Sequence, residues 1–356
     1  MRLGCIWIFP LIVSAVTKQK QRSQVHPLPS DDTSYYCDQS DENQGVPYDL
    51  DPLYKRDPRD RERYYLEKSS IQSNPNKEYR VGDLVGSGHF GRVHKAVRIK
   101  DGRVFAIKSV PMDHRPDMLV RELRALRIVT QAPHPRPSTL PVLLSVYRDI
   151  TDKAIGMRHS DDWHRRRLWM VLEWVSGHTV PARLKKSGTM EPGAIKCVMR
   201  QVMETLCYLH ETLSLVHGDL IPQNIMLEEN SLRVKLVDFG LSRMVGESPT
   251  RNVAWELSKA GALPYRMRFG DMPTRQRGSR QAGVRMTLGE LLSSTELTRP
   301  IPKDMLSFMQ TCLKPGASAC NLTQHAYFKD VKGEEKCSAF REYRRELVSS
   351  TADLAK

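Results

Sequence analysis

Four stretches of the 356-residue chain carry residue types whose spacing could do chemistry. The first, Gly86-Ser-Gly-His-Phe-Gly-Arg-Val93, sets glycines at 86, 88 and 91 between two strand-like runs, Val81–Val85 and Val93–Ile99. Glycines so spaced let a hairpin bring backbone N–H groups against phosphate oxygens, although a glycine hairpin is also an ordinary tight turn. No helix follows the second strand, which argues against a dinucleotide-binding turn and for a β-hairpin lid. In the second stretch, Val104-Phe-Ala-Ile-Lys108, strand alternation turns Lys108 toward the same cleft, 17 residues past Gly91, where an ammonium can pair with phosphates. The third is a helix-spaced run in which Glu122 lies among Leu119, Leu123 and Leu126. A carboxylate inside an apolar stripe needs a cation, and Lys108 is the nearest candidate; an exposed charge at the stripe's edge is the alternative. The fourth is Val216-His-Gly-Asp-Leu-Ile-Pro-Gln-Asn224, then Ile225-Met226 and Val234-Lys-Leu-Val-Asp-Phe-Gly240. Singly, each Asp or Asn is a turn former. Together Asp219, Asn224 and Asp238 supply a base, a neutral oxygen ligand and an anionic one, the set that phosphoryl transfer onto a hydroxyl requires.

The elements that must position these residues are legible in outline. Short β-like segments alternate with turns from Tyr79 to Ile107, a helix is expected over Pro116–Val129, and strand-like runs recur at Leu140–Tyr147 and Leu168–Val175. A long amphipathic helix is expected over Pro192–His210, with Ile195, Val198, Met199, Val202, Leu206 and Leu209 on one stripe. Strands first and helices later predict an α+β fold in two lobes. No internal repeat is visible.

On these motifs, in this order, the chain resembles the eukaryotic protein kinase family over Tyr79–Phe328. The resemblance implies a bilobal kinase-like fold with a β-rich N-lobe and a helical C-lobe, using ATP and Mg²⁺. It implies that Asp219 is the catalytic aspartate, that Asn224 and Asp238 hold Mg²⁺, and that Lys108 binds phosphate with Glu122 as its partner. Gly86, Gly88 and Gly91 would cover the phosphates, and Val85, Val93, Ala106 and Met226 would sandwich adenine. Met170-Val-Leu-Glu-Trp-Val-Ser-Gly177 would be the hinge, with Leu172 as gatekeeper and the Glu173 and Val175 backbones reading the adenine edge. An Arg-rich insertion at Arg158–Arg167 and the string Leu-Pro-Tyr-Arg ending at Arg266 are similar to the dual-specificity tyrosine-regulated and homeodomain-interacting kinases.

Departures from the family pattern are as informative. Gly218 stands where the family has an arginine that pairs with a phosphorylated activation segment, and Ile221 where Ser/Thr kinases carry a lysine. Losing an electrostatic contact of that kind lowers a rate by about 10²–10³. Gly261–Met267 reads as the end of an activation segment, followed by basic loop-like sequence to about Gly283. The large central helix of the C-lobe and its neighbour are therefore expected to be missing, leaving Thr287–Leu297 as a short helix. Two functions follow: a protein kinase of reduced activity acting on Ser/Thr hydroxyls of proteins, or a nucleotide-binding pseudokinase serving as scaffold or allosteric partner.

Composition bounds the rest. The net charge of +14, with 40% hydrophobic and 27% charged residues, excludes a membrane bundle and a collagen-like chain. Residues 1–78 hold 11 basic and 12 acidic residues, so the excess lies in the folded part; Arg243–Arg285 alone holds nine Lys/Arg against three Asp/Glu. An acidic peptide or nucleic acid could bind there, but no nucleic-acid motif accompanies the charge and none is expected as partner. Four segments are expected: 1–16, apolar and signal-like but too short to span a membrane; 17–78, disordered; 79–328, kinase-like; and 329–356, a partly helical tail. The seven cysteines show no metal-binding spacing and read as mostly free thiols. The expected compartment is cytoplasm or nucleus, with the secretory pathway as the alternative. Protein partner and oligomeric state stay open.

Overall fold

Alternation shapes the first half of the chain. Leu168 and Met170 turn to one side of their strand and join Leu119, Leu123, Leu126 and Val129 from a helix earlier in the chain, while Trp169 and Val171 turn to the other and join Tyr79, Phe105, Ile107 and Tyr147. A computed structural model describes residues 75–88, 91–112, 116–151, 166–229, 231–274, 285–294, 300–329 and 337. It pairs β1 (Tyr79–Gly88), β2 (Gly91–Arg98), β3 (Val104–Pro111), β4 (Leu143–Thr151) and β5 (Arg166–Glu173) into one antiparallel sheet of order β1-β2-β3-β5-β4. Helix α1 (Pro116–Thr130) lies against its inner face. The ordered unit begins slightly before the expected Tyr79: Pro75 is buried in a 3-10 turn, and the Tyr147 hydroxyl donates to Glu78 Oε2 at 2.8 Å. The rest of the expected 1–16 and 17–78 segments, the Arg158–Arg165 part of the insertion, and the tail beyond Lys329 except Cys337 lie outside the described residues.

The second half is helical. Helix α2 (Val180–Ser187) starts at the Thr179 cap, and α3 (Pro192–Cys207) continues through a π turn, Tyr208–Thr212. The whole predicted stripe of α3, from Ile195 to Leu209, is fully buried. Two small sheets carry the loops that matter: β6 (Gly177–Thr179), β8 (Ile225–Glu228) and β9 (Val234–Leu236) in one, β7 (Leu215–Val216) and β10 (Arg243–Met244) in the other.

Two expectations are corrected here. The central helix is present: α4 (Val253–Phe269) runs through Gly261–Met267, which is not the end of an activation segment. Asn252 caps it, accepting from Trp255 N at 3.0 Å. Gly261 is required by packing, because a Cβ there would sit 2.6 Å from Leu288 Cδ2 and 2.8 Å from Cys312 Cβ. The elements it admits are α5 (Leu288–Ser293), inside the expected short helix, and α6 (Lys303–Thr311), followed by α7 (Ala319–Thr323). The cysteines, secondly, are not mostly free. Cys197–Cys337 and Cys207–Cys320 are disulfides tying α3, at its second turn and its last residue, to the C-terminal part, and Cys312 is a buried thiol that burial pushes up to about 12. No helix among the described residues is long and apolar enough to cross a membrane.

Candidate active site

Lys108 stands on β3 between Val93 of β2 and Met170 of β5, so strand alternation alone fixes its direction. Its Nζ donates to Glu122 Oε1 at 2.5 Å and to Asp238 Oδ1 at 3.1 Å, with Lys108 only 5% and Glu122 3% exposed. The predicted ion pair is therefore formed, and a second carboxylate joins it. Burial lowers the Lys108 pKa, but the charges of Asp238 and Glu122 outweigh it and hold the ammonium above its ordinary value. Burial, with the charge of Asp238 added, holds the Glu122 carboxyl above the usual carboxylate range against the pull of Lys108.

Asp238 adopts φ 64°, a left-handed conformation that non-glycine residues rarely take and that the surrounding structure has to impose. The restraints are identifiable. Gln201 on α3 accepts from Val234 N at 3.1 Å and donates to Leu232 O at 2.7 Å, and Leu236 N donates to Thr139 O at 2.9 Å, which fixes β9. His217 Nε2 lies 3.2 Å from Val237 O and therefore donates, which leaves Nδ1 to accept from Asp219 N at 3.3 Å. One neutral imidazole thus ties the Asp219 loop to the Asp238 strand, and its ring packs on Phe239 at 4.5 Å.

Asp219 and Asn224 meet as the sequence predicts. Asn224 Nδ2 donates to Asp219 Oδ2 at 2.8 Å and to Asp219 O at 2.9 Å, leaving the amide oxygen uncommitted to that pair. Burial, with the charge of Asp238 adding to it, raises the Asp219 pKa. Gly218 sits at φ 76°, and a Cβ there would stand 2.1 Å from Leu241 O. The missing arginine is thus a steric consequence of how closely the two loops approach.

Sequence reasoning missed the residue beneath this loop. Glu256, in the first turn of α4 and fully buried, accepts from Gly218 N at 2.8 Å, His217 N at 3.2 Å and His210 Nε2 at 2.7 Å. It missed Lys235 as well: its Nζ donates to Glu173 Oε1 at 2.6 Å and to Leu140 O at 3.2 Å. A lysine within the apolar strand Val234-Lys-Leu-Val237 was the available signal, by the reasoning applied to Glu122.

Between the lobes lies a largely apolar cleft with a few charged groups at its wall, the usual make-up of a small-molecule site. Val93, Ala106, Leu172, Glu173 and Val175 line it beside Lys108 and Asp238. Val85 and Met226 pack with Val175 and Val237, two of the cleft's lining residues. Gly86 pairs with Val93 and Gly88 with Gly91, so the glycine run is a hairpin over this cleft's β2 wall. Gly91 has φ 125°, and a Cβ there would meet Ser109 O at 2.4 Å. The residues fit an adenine nucleotide with Mg²⁺: an apolar slot, a charged ammonium, and two oxygen donors on Asn224 and Asp238. Two such donors suffice for a metal that takes its other ligands from phosphates and water.

The profile of the family described as "Protein kinase domain" matches residues 79–258, half of the chain. Among curated proteins, the chain is 26% identical over 195 residues to the MAP kinase kinase kinase SSK2 of Saccharomyces cerevisiae, covering 53% of this chain and 11% of that protein. It is 30% identical over 172 residues to the probable serine/threonine-protein kinase PknB of Bifidobacterium longum, covering 48% and 23%. With the serine/threonine-protein kinase ppk11 of Schizosaccharomyces pombe it shares 31% identity over 165 residues, 46% of each chain. The matched region thus spans less than half the length of each of these relatives.

Proposed function

The chain belongs to the protein kinase family, and from that premise we propose that it binds ATP and transfers the γ-phosphate to serine or threonine hydroxyls of proteins. The observation that carries this is the joint assembly of Lys108 with Glu122 and Asp238, and of Asp219 with Asn224. In this reading Lys108 pairs with the nucleotide phosphates while Glu122 holds it in place. Asp219 orients the acceptor hydroxyl and accepts its proton. Mg²⁺ held by Asn224 and Asp238 would neutralise charge on the phosphates.

A second reading, a pseudokinase that holds nucleotide as a scaffold, is favoured by Ile221 and by the 12 residues that separate Gly240 from Val253. Asp219→Asn separates the two. It should leave the ATP-induced rise in melting temperature intact and abolish transfer of radiolabelled phosphate to protein substrates. Background-level transfer by wild type and variant alike, beside normal ATP binding, leaves the scaffold. Absence of any ATP-induced shift in a folded sample removes both readings.

Kinship with the dual-specificity tyrosine-regulated and homeodomain-interacting kinases now rests on less, since Leu-Pro-Tyr-Arg lies inside α4 rather than at the end of an activation segment. As for compartment, two disulfides within one domain favour the secretory pathway over cytoplasm or nucleus.

A further inference from the structure

The basic excess in Arg243–Arg285 is not used by phosphate transfer, and α4 arranges part of it. Glu256 bonds the backbone of Gly218 and His217, so the first turns of α4 adjoin the loop that carries Asp219. On that part of the helix Trp255 is flanked by two cations, Arg251 Cζ at 5.7 Å from the ring centroid and Lys259 Nζ at 5.1 Å. These two cation–π contacts hold the charges in place against one indole. Arg251 and Lys259 each act electrostatically on Asp219, and Lys259 itself is exposed. Two turns further along the same side, Arg266 is within electrostatic reach of Lys259, with Arg285 beside it; Asp271 pairs with both, at 3.4 Å and 2.5 Å. Arg251, Lys259, Arg266 and Arg285 thus form a basic track that starts beside Asp219, with Asp271 paired to the last two among the described residues.

We propose that this track is the acceptor-binding surface of the protein and selects substrates whose hydroxyl residue is flanked by acidic residues. The inference rests on the kinase reading above and names its substrate class. The charge complementarity has a length. Lys259 and Arg266 are seven residues apart, about 10 Å along a helix, which an extended peptide spans in about three residues. One acidic side chain next to the hydroxyl residue would therefore meet Lys259, and another about three residues further on would meet Arg266. A nucleic acid fits less well, because its continuous phosphates would be pressed against the Asp219 carboxylate at the head of the track, whereas a peptide places a neutral hydroxyl there.

The test uses the full chain and three fluorescein-labelled probes: a serine peptide with glutamates on both flanks, the same peptide with lysines, and a single-stranded RNA 12-mer. Anisotropy should show the glutamate peptide bound at least about 10-fold more tightly than the lysine peptide at low salt, with the gap closing near 0.5 M salt. Lys259→Gln and Arg266→Gln should each weaken the glutamate peptide about 3- to 10-fold without changing the affinity for a fluorescent ATP analogue, which also reports that the variants are folded. Equal binding of the two peptides, indifference to both substitutions, or tighter binding of RNA than of the glutamate peptide overturns the proposal. Phosphate transfer measured on the same peptides separates the two levels. Selective binding without transfer keeps the acidic track and sinks the enzyme, and transfer that favours the lysine peptide keeps the enzyme and sinks the track.

Discussion

Glu256→Ala is the substitution whose consequence the structure sizes most directly. The carboxylate is fully buried and accepts from two backbone N–H groups and one imidazole. Truncation leaves the N–H groups of His217 and Gly218 without an acceptor, and a buried donor so orphaned costs about 1–3 kcal/mol. It also leaves His210 facing a void, and removing one partner of a buried pair costs about 3–5 kcal/mol in all. A loss of that size lowers the melting temperature of a domain this large by on the order of 10 °C. Since the same bonds fix the backbone of the two residues directly before Asp219, phosphate transfer should fall further than ATP binding does. The acid limb gives an independent check. Burial alone would raise the Glu256 pKa, but the hydrogen bond and charge of His210 and the N–H of Gly218 outweigh it and hold the carboxyl below its ordinary value. A depressed carboxylate stabilises the fold above its unfolded pKa of about 4.3, and that stability is lost as pH falls through the folded value. The gap between wild type and Glu256→Gln should therefore be full at pH 7 and narrow below about pH 4, followed by urea melts across that range. A Glu256→Ala protein that melts within about 2 °C of wild type, or a gap that is the same at pH 7 and pH 3, refutes the reasoning.

Two further outcomes follow from sterics and from thiol chemistry. Gly218→Ala places a methyl 2.1 Å from Leu241 O on a left-handed backbone; it should destabilise by more than about 2 kcal/mol in urea titration, and a change under about 0.5 kcal/mol would contradict the close approach of the two loops. Non-reducing peptide mapping should recover Cys197 linked to Cys337 and Cys207 linked to Cys320, with Cys312 alkylated at pH 8 only after denaturation; ready alkylation of Cys197 and Cys337 in the native protein would count against both the pairing and the oxidising compartment.

What the sequence disclosed and what it hid differ by kind of interaction. Strand alternation places Lys108, helical spacing places Glu122, and their charges require each other, so that pair is legible from spacing and charge alone. The stripe of α3 is legible for the same reason, since six apolar residues at helical spacing have one way to be buried. Helix α4 is not, because Gly261 and Pro264 break propensity in its middle and Leu-Pro-Tyr-Arg imitates a loop motif. Tertiary packing against Leu288 and Cys312 requires that glycine, and packing leaves no local signature. Glu256 is hidden with the helix: a glutamate in a first turn is ordinary until one knows that two backbone N–H groups 38 and 39 residues earlier point at it. The disulfides are hidden because their partners lie 140 and 113 residues apart.

The segment between Asp238 and α4 is short, because α4 starts at Val253, and it works as a brace in the structure. Within it, Ser242 Oγ donates to His217 O at 3.0 Å, and β10 pairs with β7 directly before the Asp219 loop. Glu247 accepts from Arg124 on α1 at 3.1 Å with one oxygen and from Met244 N at 2.7 Å with the other. The segment therefore ties the Asp219 loop to the helix that carries Glu122. With Glu122 so held, Lys108 keeps its partner, and Lys108 in turn holds Asp238. Gly218 offers no side chain to bridge the two loops, and the described contacts between them run instead through Ser242, Glu247, Arg124 and the helix that carries Glu122.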